Sequence, residues 1–263
     1  MLDVKAFRAS DGVTIAYHHL SPGDGVDVGM PPVFLIHGLA SDSRTSWIEP
    51  GTTRALVDAD RRVFAVDARG HGLSDKPHDP GLYGETRMSR DLVELWDSLG
   101  LEQVDLVGHS MGSVVALIAA SSDRRIRRLV ISGVGRYQLN YDGGPLPHFD
   151  SEGFAAALSV DDPTEISDRG LREFRYEIDE SGGDRHALAA HLRVLHKDPL
   201  ALGRIEAPTL VIAGRDDTLS PEPGLLARAI PRGQAITIPG DHAGAKTTAA
   251  FIDAVAAFLN QPA

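Results

Sequence analysis

The sequence predicts an α/β protein with a mainly parallel central sheet flanked by helices. Short apolar runs rich in β-branched residues alternate with longer segments of helical period, and this alternation is typical of a parallel sheet whose strands are connected by helices. Three such runs, predicted to be buried strands, are Pro32 to Ile36, Val63 to Val66 and Val104 to Val107. Each run ends in a turn with polar or glycine residues. These turns are expected at the carboxyl edge of the sheet, where open α/β sheets bind their ligands.

Length and composition favour one large domain and exclude several classes of protein. The chain has 263 residues, of which 42% are hydrophobic, and this is enough to bury a sizeable core. It contains no cysteine, so a disulfide framework, a thiol nucleophile and a cysteine-rich metal site are all excluded. The net charge of −11 disfavours nucleic acid as a partner.

The sequence also lacks the signals of export and membrane insertion. Its first residues have neither the basic start nor the apolar run of a signal peptide, and the longest apolar stretch, Val114 to Ala120, is too short to span a membrane. We therefore expect a cytoplasmic protein that acts on a small-molecule substrate and has no membrane partner. The oligomeric state is not predicted.

A segment of different character interrupts the α/β pattern. Further strands are predicted at Leu129 to Ile131, Thr209 to Ala213 and Ala235 to Ile238, and an amphipathic helix closes the chain. Between the first two of these strands, a loop rich in glycine, proline and tyrosine precedes charged segments with helical apolar stripes. We interpret residues 135–203 as a helical cap over the crevice, with residues 1–134 and 204–263 forming the core.

The pentapeptide Gly108-His109-Ser110-Met111-Gly112 matches the G-x-S-x-G nucleophile elbow. A strand that turns sharply into a helix strains the backbone at the serine, and only small neighbours leave room for that turn. The motif follows a predicted strand and precedes Ser113 to Ala120, which is predicted to be a buried helix. This context predicts that Ser110 is the nucleophile of a covalent mechanism.

An oxyanion hole is predicted beside the elbow. His37-Gly38-Leu39 follows the first buried strand, and a backbone N–H there can join that of Met111 to bind an oxyanion. Leu39 and Met111 are therefore predicted to act through their amides. His37 is expected to be structural.

A serine nucleophile needs a base and an acid that orients the base. Gly214-Arg215-Asp216-Asp217 follows one predicted strand, and Gly240-Asp241-His242 follows the last. The order serine, aspartate, histidine along the chain is one of the known triad orders. These positions predict His242 as the base and either Asp217 or Asp216 as the acid.

Together these motifs resemble those of the α/β-hydrolase fold superfamily over nearly the whole chain. The resemblance is carried by His37-Gly38, the loop from Asp67 to Ser74, Gly108 to Gly112, Gly214 to Asp217 and His242. It implies the α/β-hydrolase fold with a helical cap insertion. In relatives the acid usually stands fourth in a Gly-x-x-Asp turn, which implies Asp217, with Asp216 as the alternative.

The resemblance also implies an esterase- or lactonase-like serine hydrolase that forms an acyl-enzyme on Ser110. Dehalogenases and epoxide hydrolases of this fold carry aspartate at the nucleophile position, so Ser110 argues against both. Many carbon–carbon bond hydrolases of the superfamily have tryptophan after the catalytic histidine, where this chain has Ala243, and an arginine in the cap. Carbon–carbon bond hydrolase, lyase or perhydrolase activity remains an alternative, as does a receptor-like protein that binds a small ligand with slow or no turnover.

Substrate selection is expected to depend on the start of the cap. Tyr137, Tyr141, His148 and Phe149 lie in its glycine- and proline-rich entry, and we predict that they contact substrate. The sequence has no HExxH pattern, no paired carboxylates typical of a metal site and no dinucleotide-binding G-x-G-x-x-G motif. No metal and no organic cofactor are predicted.

Overall fold

A computed structural model describes residues 3–23, 29–140 and 149–261 of the chain. These residues form an eight-stranded sheet with the strand order β1-β2-β4-β3-β5-β6-β7-β8. The strands are β1 (Asp3–Arg8), β2 (Thr14–Leu20), β3 (Val33–Ile36), β4 (Val63–Val66), β5 (Val104–His109), β6 (Ile126–Ser132), β7 (Thr209–Gly214) and β8 (Gly233–Ile238). Strands β3 to β8 run parallel to one another, and the hairpin β1–β2 joins this group antiparallel to β4. The predicted mainly parallel sheet is confirmed.

The central strands form because their runs are apolar on both faces. Every residue of β3, β4 and β5 is buried, as expected for parallel strands covered on two sides. The β1–β2 hairpin was not predicted from the sequence. Most of the edge strand β1 is exposed, so it lacks the buried apolar run of the central strands.

Helices cover both faces of the sheet. The chain contains α1 (Thr52–Asp58), α2 (Glu85–Ser98), α3 (Met111–Ser122), α4 (Ser151–Ser159), α5 (Arg169–Ser181), α6 (Arg185–Leu192), α7 (Pro223–Ala229) and α8 (Ala249–Leu259). One face packs against α2, α3 and α7, and the other against α1 and α8. None of the helices in the described ranges has both the length and the apolar character needed to cross a membrane.

The helices α4, α5 and α6 lie between β6 and β7 in the chain and have an apolar cluster of their own. Leu158, Ile178 and Leu192 are buried in this cluster, and Leu39 of the core packs against it. Helix α6 also contacts the main core. Its residues Ala187 and Ala190 belong to the apolar cluster on the face of the sheet that is covered by α2, α3 and α7. The three helices therefore rest on the loop that follows β3. The predicted cap boundaries at residues 135 and 203 stay a prediction.

Candidate active site

The turn between β5 and α3 holds Ser110 in a strained conformation. Its φ of 53° and ψ of −118° are rarely adopted by a residue with a side chain. The flanking glycines permit this turn. A Cβ on Gly108 would collide with the Gly112 carbonyl, and a Cβ on Gly112 would collide with the carbonyl oxygen atoms of Ile36 and His37. The side chain of Ser110 thus stands at the carboxyl edge of the sheet and at the start of a buried helix.

Two hydrogen bonds join the three side chains that the sequence predicts as a triad. His242 Nε2 lies 3.0 Å from Ser110 Oγ, and His242 Nδ1 lies 2.9 Å from Asp217 Oδ2. A carboxylate only accepts hydrogen bonds, so Nδ1 carries the proton and Nε2 can accept from the serine hydroxyl. The structure therefore places His242 where it can remove the Ser110 proton, and places Asp217 where it can orient His242.

The environment of Asp217 keeps its carboxyl group charged. Its side chain is 1% exposed, yet it accepts further hydrogen bonds from the Ser220 hydroxyl at 2.6 Å and the Leu219 N–H at 2.9 Å. Burial raises the pKa of the Asp217 carboxyl, but the hydrogen bonds from His242, Ser220 and Leu219 outweigh burial and lower the pKa below 3.8. Asp216 is exposed, and Asp217 is the one of the two that contacts His242.

The predicted oxyanion-hole amides are available as donors. Within the described part of the chain, neither the Leu39 N–H nor the Met111 N–H donates a hydrogen bond. The loop that carries Leu39 lies against the elbow, since a Cβ on Gly38 would be 3.2 Å from the Ser110 Cβ. The amide of Met111 is free of an intrahelical acceptor because Met111 is the first residue of α3.

Two buried histidines hold this loop in place. His37 Nδ1 donates to the Gly38 carbonyl at 2.7 Å, and His37 Nε2 accepts from the Ala68 N–H at 3.0 Å. His71 Nε2 accepts from the Ala40 N–H at 3.2 Å. Burial lowers the pKa of both imidazoles, so they stay neutral and both rings keep an acceptor nitrogen. The residues on both sides of Leu39 are thereby fixed.

A cavity of about 270 Å³ opens above the elbow and is lined by two of the four predicted substrate-contact residues. Apart from the serine and histidine, its wall is mainly apolar. The lining residues are Leu39, Glu85, Ser110, Met111, Val114, Gly133, Val134, Tyr137, Gln138, Phe149, Phe174, Leu195, Leu219 and His242. Tyr137 and Phe149, which the sequence predicts as substrate contacts, are in this wall. Tyr141 and His148 lie outside the described residues.

Glu85 lines the cavity but was not predicted from the sequence as a site residue. It is the first residue of α2, where an acidic side chain is usually explained by the helix dipole alone. Its Oε2 accepts from the His196 N–H at 2.6 Å, and its Oε1 lies 3.5 Å from His191 Nε2 of α6. Only the packing of α6 against α2 shows that this carboxylate is buried beside the cavity.

No group of metal ligands adjoins the cavity. Over the described ranges, histidine, aspartate and glutamate side chains do not converge in groups of three or more that could hold a metal ion. Another buried histidine, His109, faces the Ser132 hydroxyl at 3.0 Å through Nδ1, and burial lowers the pKa of its imidazole. What the arrangement offers is a general base, a hydroxyl nucleophile and two free amides.

Comparison with known proteins identifies relatives of this chain. Residues 31–161 match the family model described as alpha/beta hydrolase fold. The chain is 33% identical over 220 residues to the 2-hydroxymuconate semialdehyde hydrolase of Pseudomonas putida, with 77% of each chain covered. It is 32% identical over 262 residues to the sn-1-specific diacylglycerol lipase ABHD11 of Mus musculus, which covers 89% of this chain and 82% of the lipase.

A similar architecture is found in solved structures. The crystal structure of a hydrolase from Pseudomonas aeruginosa PA01 superposes with a TM-score of 0.76 and 27% sequence identity, covering 98% of this chain and 99% of that one. The eight-stranded sheet with its helices, the matching family model and relatives above 30% identity lead to one assignment. The chain belongs to the alpha/beta hydrolase fold family.

Proposed function

We propose that this hydrolase cleaves a carboxylic ester or lactone through an acyl-enzyme on Ser110. The observation that carries the proposal is the hydrogen-bonded series from Ser110 through His242 to Asp217 at the floor of a mainly apolar cavity. Serine is a weak nucleophile until an adjacent base removes its proton, and this series supplies the base and orients it. Leu39 and Met111 supply the N–H donors of the proposed oxyanion hole.

In the first half of the reaction, Ser110 Oγ attacks the carbonyl carbon while His242 Nε2 takes the hydroxyl proton. The imidazolium that forms is stabilised by the Asp217 carboxylate at 2.9 Å. The negative charge that develops on the carbonyl oxygen is bound by the amides of Leu39 and Met111. His242 then donates its proton to the leaving alcohol oxygen, the ester C–O bond breaks, and the acyl group stays on Ser110.

The second half repeats these steps with water. His242 removes a proton from a water molecule, which attacks the acyl carbon, and the same donors bind the oxyanion. Collapse of this intermediate releases the carboxylic acid and returns the proton to Ser110 Oγ. With a lactone, the alcohol and the acid remain parts of one product molecule.

Carbon–carbon bond hydrolysis is the second candidate, because one relative is named a hydrolase of 2-hydroxymuconate semialdehyde. The diacylglycerol lipase among the relatives supports ester cleavage instead. The chain has Ala243 after His242, where many carbon–carbon bond hydrolases have tryptophan. We favour ester or lactone cleavage, with residues 135–203 as the cap that selects the substrate.

Covalent labelling combined with turnover tests the proposal. Wild-type protein should react with a fluorophosphonate and hydrolyse short p-nitrophenyl esters or lactones, whereas Ser110→Ala should do neither and lose activity by about 10⁴-fold or more. Ser122→Ala, a change of the same chemistry at the exposed end of α3, is the matched control and should keep full activity. Retention of more than about a tenth of the activity in Ser110→Ala would exclude Ser110 as the nucleophile.

A further inference from the structure

Among the described residues that line the cavity, Glu85 is the acidic one. The Glu85 side chain is 5% exposed and lines the same space as Ser110 and His242. Both of its oxygen atoms are engaged on the protein side, by the His196 N–H at 2.6 Å and by His191 at 3.5 Å. Packing and hydrogen bonding therefore fix the carboxylate beside the cavity.

The carboxylate of Glu85 is ionised at neutral pH. Burial raises the pKa of this carboxyl, but the contacts with His191 and the His196 N–H outweigh burial and lower the pKa below its usual value. A substrate group that reaches this part of the wall meets a hydrogen-bond acceptor and a negative charge.

The basic group in contact with this charge is His191, which lies on the protein side at 3.5 Å and does not line the cavity. Among the described residues that line the cavity there is no lysine or arginine. Between Asn140 and Phe149 the chain also contains neither residue type in its sequence. Arg136, at the start of this region, is paired with Glu222 at 2.6 Å and lies outside the cavity wall. A bound carboxylate would thus be desolvated without a charged partner and close to a like charge.

We propose that Glu85 restricts the site to neutral ester or lactone substrates and excludes those that carry a carboxylate. The proposal rests on the esterase or lactonase function proposed above. Under this proposal, the substrates of this chain differ from those in the names of two relatives, the hydrolases of 2-hydroxymuconate semialdehyde and of 2-hydroxy-6-oxo-2,4-heptadienoate, which are carboxylates. Discrimination of this kind comes from repulsion of the wrong substrate more than from attraction of the right one.

Two pairs of substrates that differ by one charge test the proposal. On the acyl side, p-nitrophenyl methyl adipate is compared with p-nitrophenyl hydrogen adipate. On the alcohol side, methyl 4-acetoxybenzoate is compared with 4-acetoxybenzoate. We expect kcat/KM at pH 7.5 to be about ten-fold or more lower for the anionic member of at least one pair, mainly through KM. The pair that shows the difference identifies the part of the substrate that faces Glu85.

Two variants assign the discrimination to Glu85. Glu85→Gln keeps the acceptor for the His196 N–H and should narrow the ratio of neutral to anionic kcat/KM by about three-fold or more. Glu102→Gln removes one negative charge from an exposed position and should leave the ratio unchanged. If Glu85→Gln does not fold, wild-type protein decides with p-nitrophenyl 6-(trimethylammonio)hexanoate, a cationic analogue of the adipate pair, which should not show the loss of kcat/KM expected for the anionic member.

The outcomes separate this proposal from the one on which it rests. Equal hydrolysis of both members of each pair, lost in Ser110→Ala, would overturn the role of Glu85 and leave the esterase function intact. A large ratio that Glu85→Gln does not alter, or an equal loss of kcat/KM for the cationic substrate, would also overturn it. Absence of Ser110-dependent hydrolysis of every neutral substrate would instead overturn the esterase function.

Discussion

Replacing Asp217 by asparagine should reduce kcat/KM by about 10²- to 10⁴-fold. In the structure the carboxylate accepts three hydrogen bonds, from the Leu219 N–H at Oδ1 and from the Ser220 hydroxyl and His242 Nδ1–H at Oδ2. Asparagine has the same shape but offers one acceptor oxygen and one donor NH₂ group. The amide therefore cannot accept hydrogen bonds at both of the positions that Oδ1 and Oδ2 of Asp217 occupy.

The orientation of the amide decides which nitrogen of His242 carries the proton. If the amide oxygen stays beside the Leu219 N–H, the NH₂ group faces His242 Nδ1 and forces it to accept. The proton then moves to Nε2, which can no longer accept from Ser110. The opposite orientation preserves the productive tautomer but points the NH₂ group at the Leu219 N–H. With the Asp217 side chain 1% exposed, water does not relieve that clash.

The magnitude follows from these two costs. A buried donor left without an acceptor costs about 1–3 kcal/mol, and the lost hydrogen bond to a charged acceptor is worth about 1.5–3 kcal/mol when the imidazolium forms. The sum is about 2.5–6 kcal/mol, and each factor of ten in rate corresponds to about 1.36 kcal/mol. The expected loss is therefore between about two and four orders of magnitude.

The matched control is Asp216→Asn. Asp216 is adjacent in the sequence but exposed, so its substitution should change kcat/KM by no more than about two-fold. Steady-state hydrolysis of a p-nitrophenyl ester measures both variants, with circular dichroism to verify folding. Equal losses in the two variants, or a larger loss in Asp216→Asn, would refute the reasoning and move the acid to Asp216.

Two further predictions concern pH and the cavity wall. His242 must be neutral to accept the Ser110 proton, and the lowered pKa of the Asp217 carboxyl keeps it charged from mildly acidic pH upward. Both kcat/KM for a non-ionising ester and the rate of fluorophosphonate labelling should therefore rise with pH, as the base loses its proton, to a plateau. A labelling rate that is flat from about pH 5 to 8 in folded protein would contradict a histidine base. Tyr137→Ala and Phe149→Ala should enlarge the cavity and raise kcat/KM for p-nitrophenyl octanoate relative to acetate. Tyr176→Ala, on an exposed part of α5, should not alter this ratio, and a uniform decrease in all three variants would indicate loss of stability alone.

The sequence predicted the parts of the molecule that depend on neighbouring residues. Gly108, Ser110 and Gly112 are close in the chain, and the elbow requires small residues at these two positions beside the serine, so their spacing alone predicts it. The strands β3 and β4 were recognised because burial on both faces favours an uninterrupted apolar run. The order of Ser110, Asp217 and His242 also indicated which turns would meet at one edge of the sheet.

Only the tertiary structure decided the features that arise from contacts between distant segments. It placed the exposed strand β1 at the edge of the sheet, beside β2, and it brought Asp217 rather than Asp216 into contact with His242. It also placed Glu85 in the cavity wall, because α6 packs across the start of α2 and carries His191 to within 3.5 Å of that carboxylate. The physical reason is that the burial of a charged side chain depends on what packs against it, which the local residue pattern around Gly84 and Glu85 does not contain.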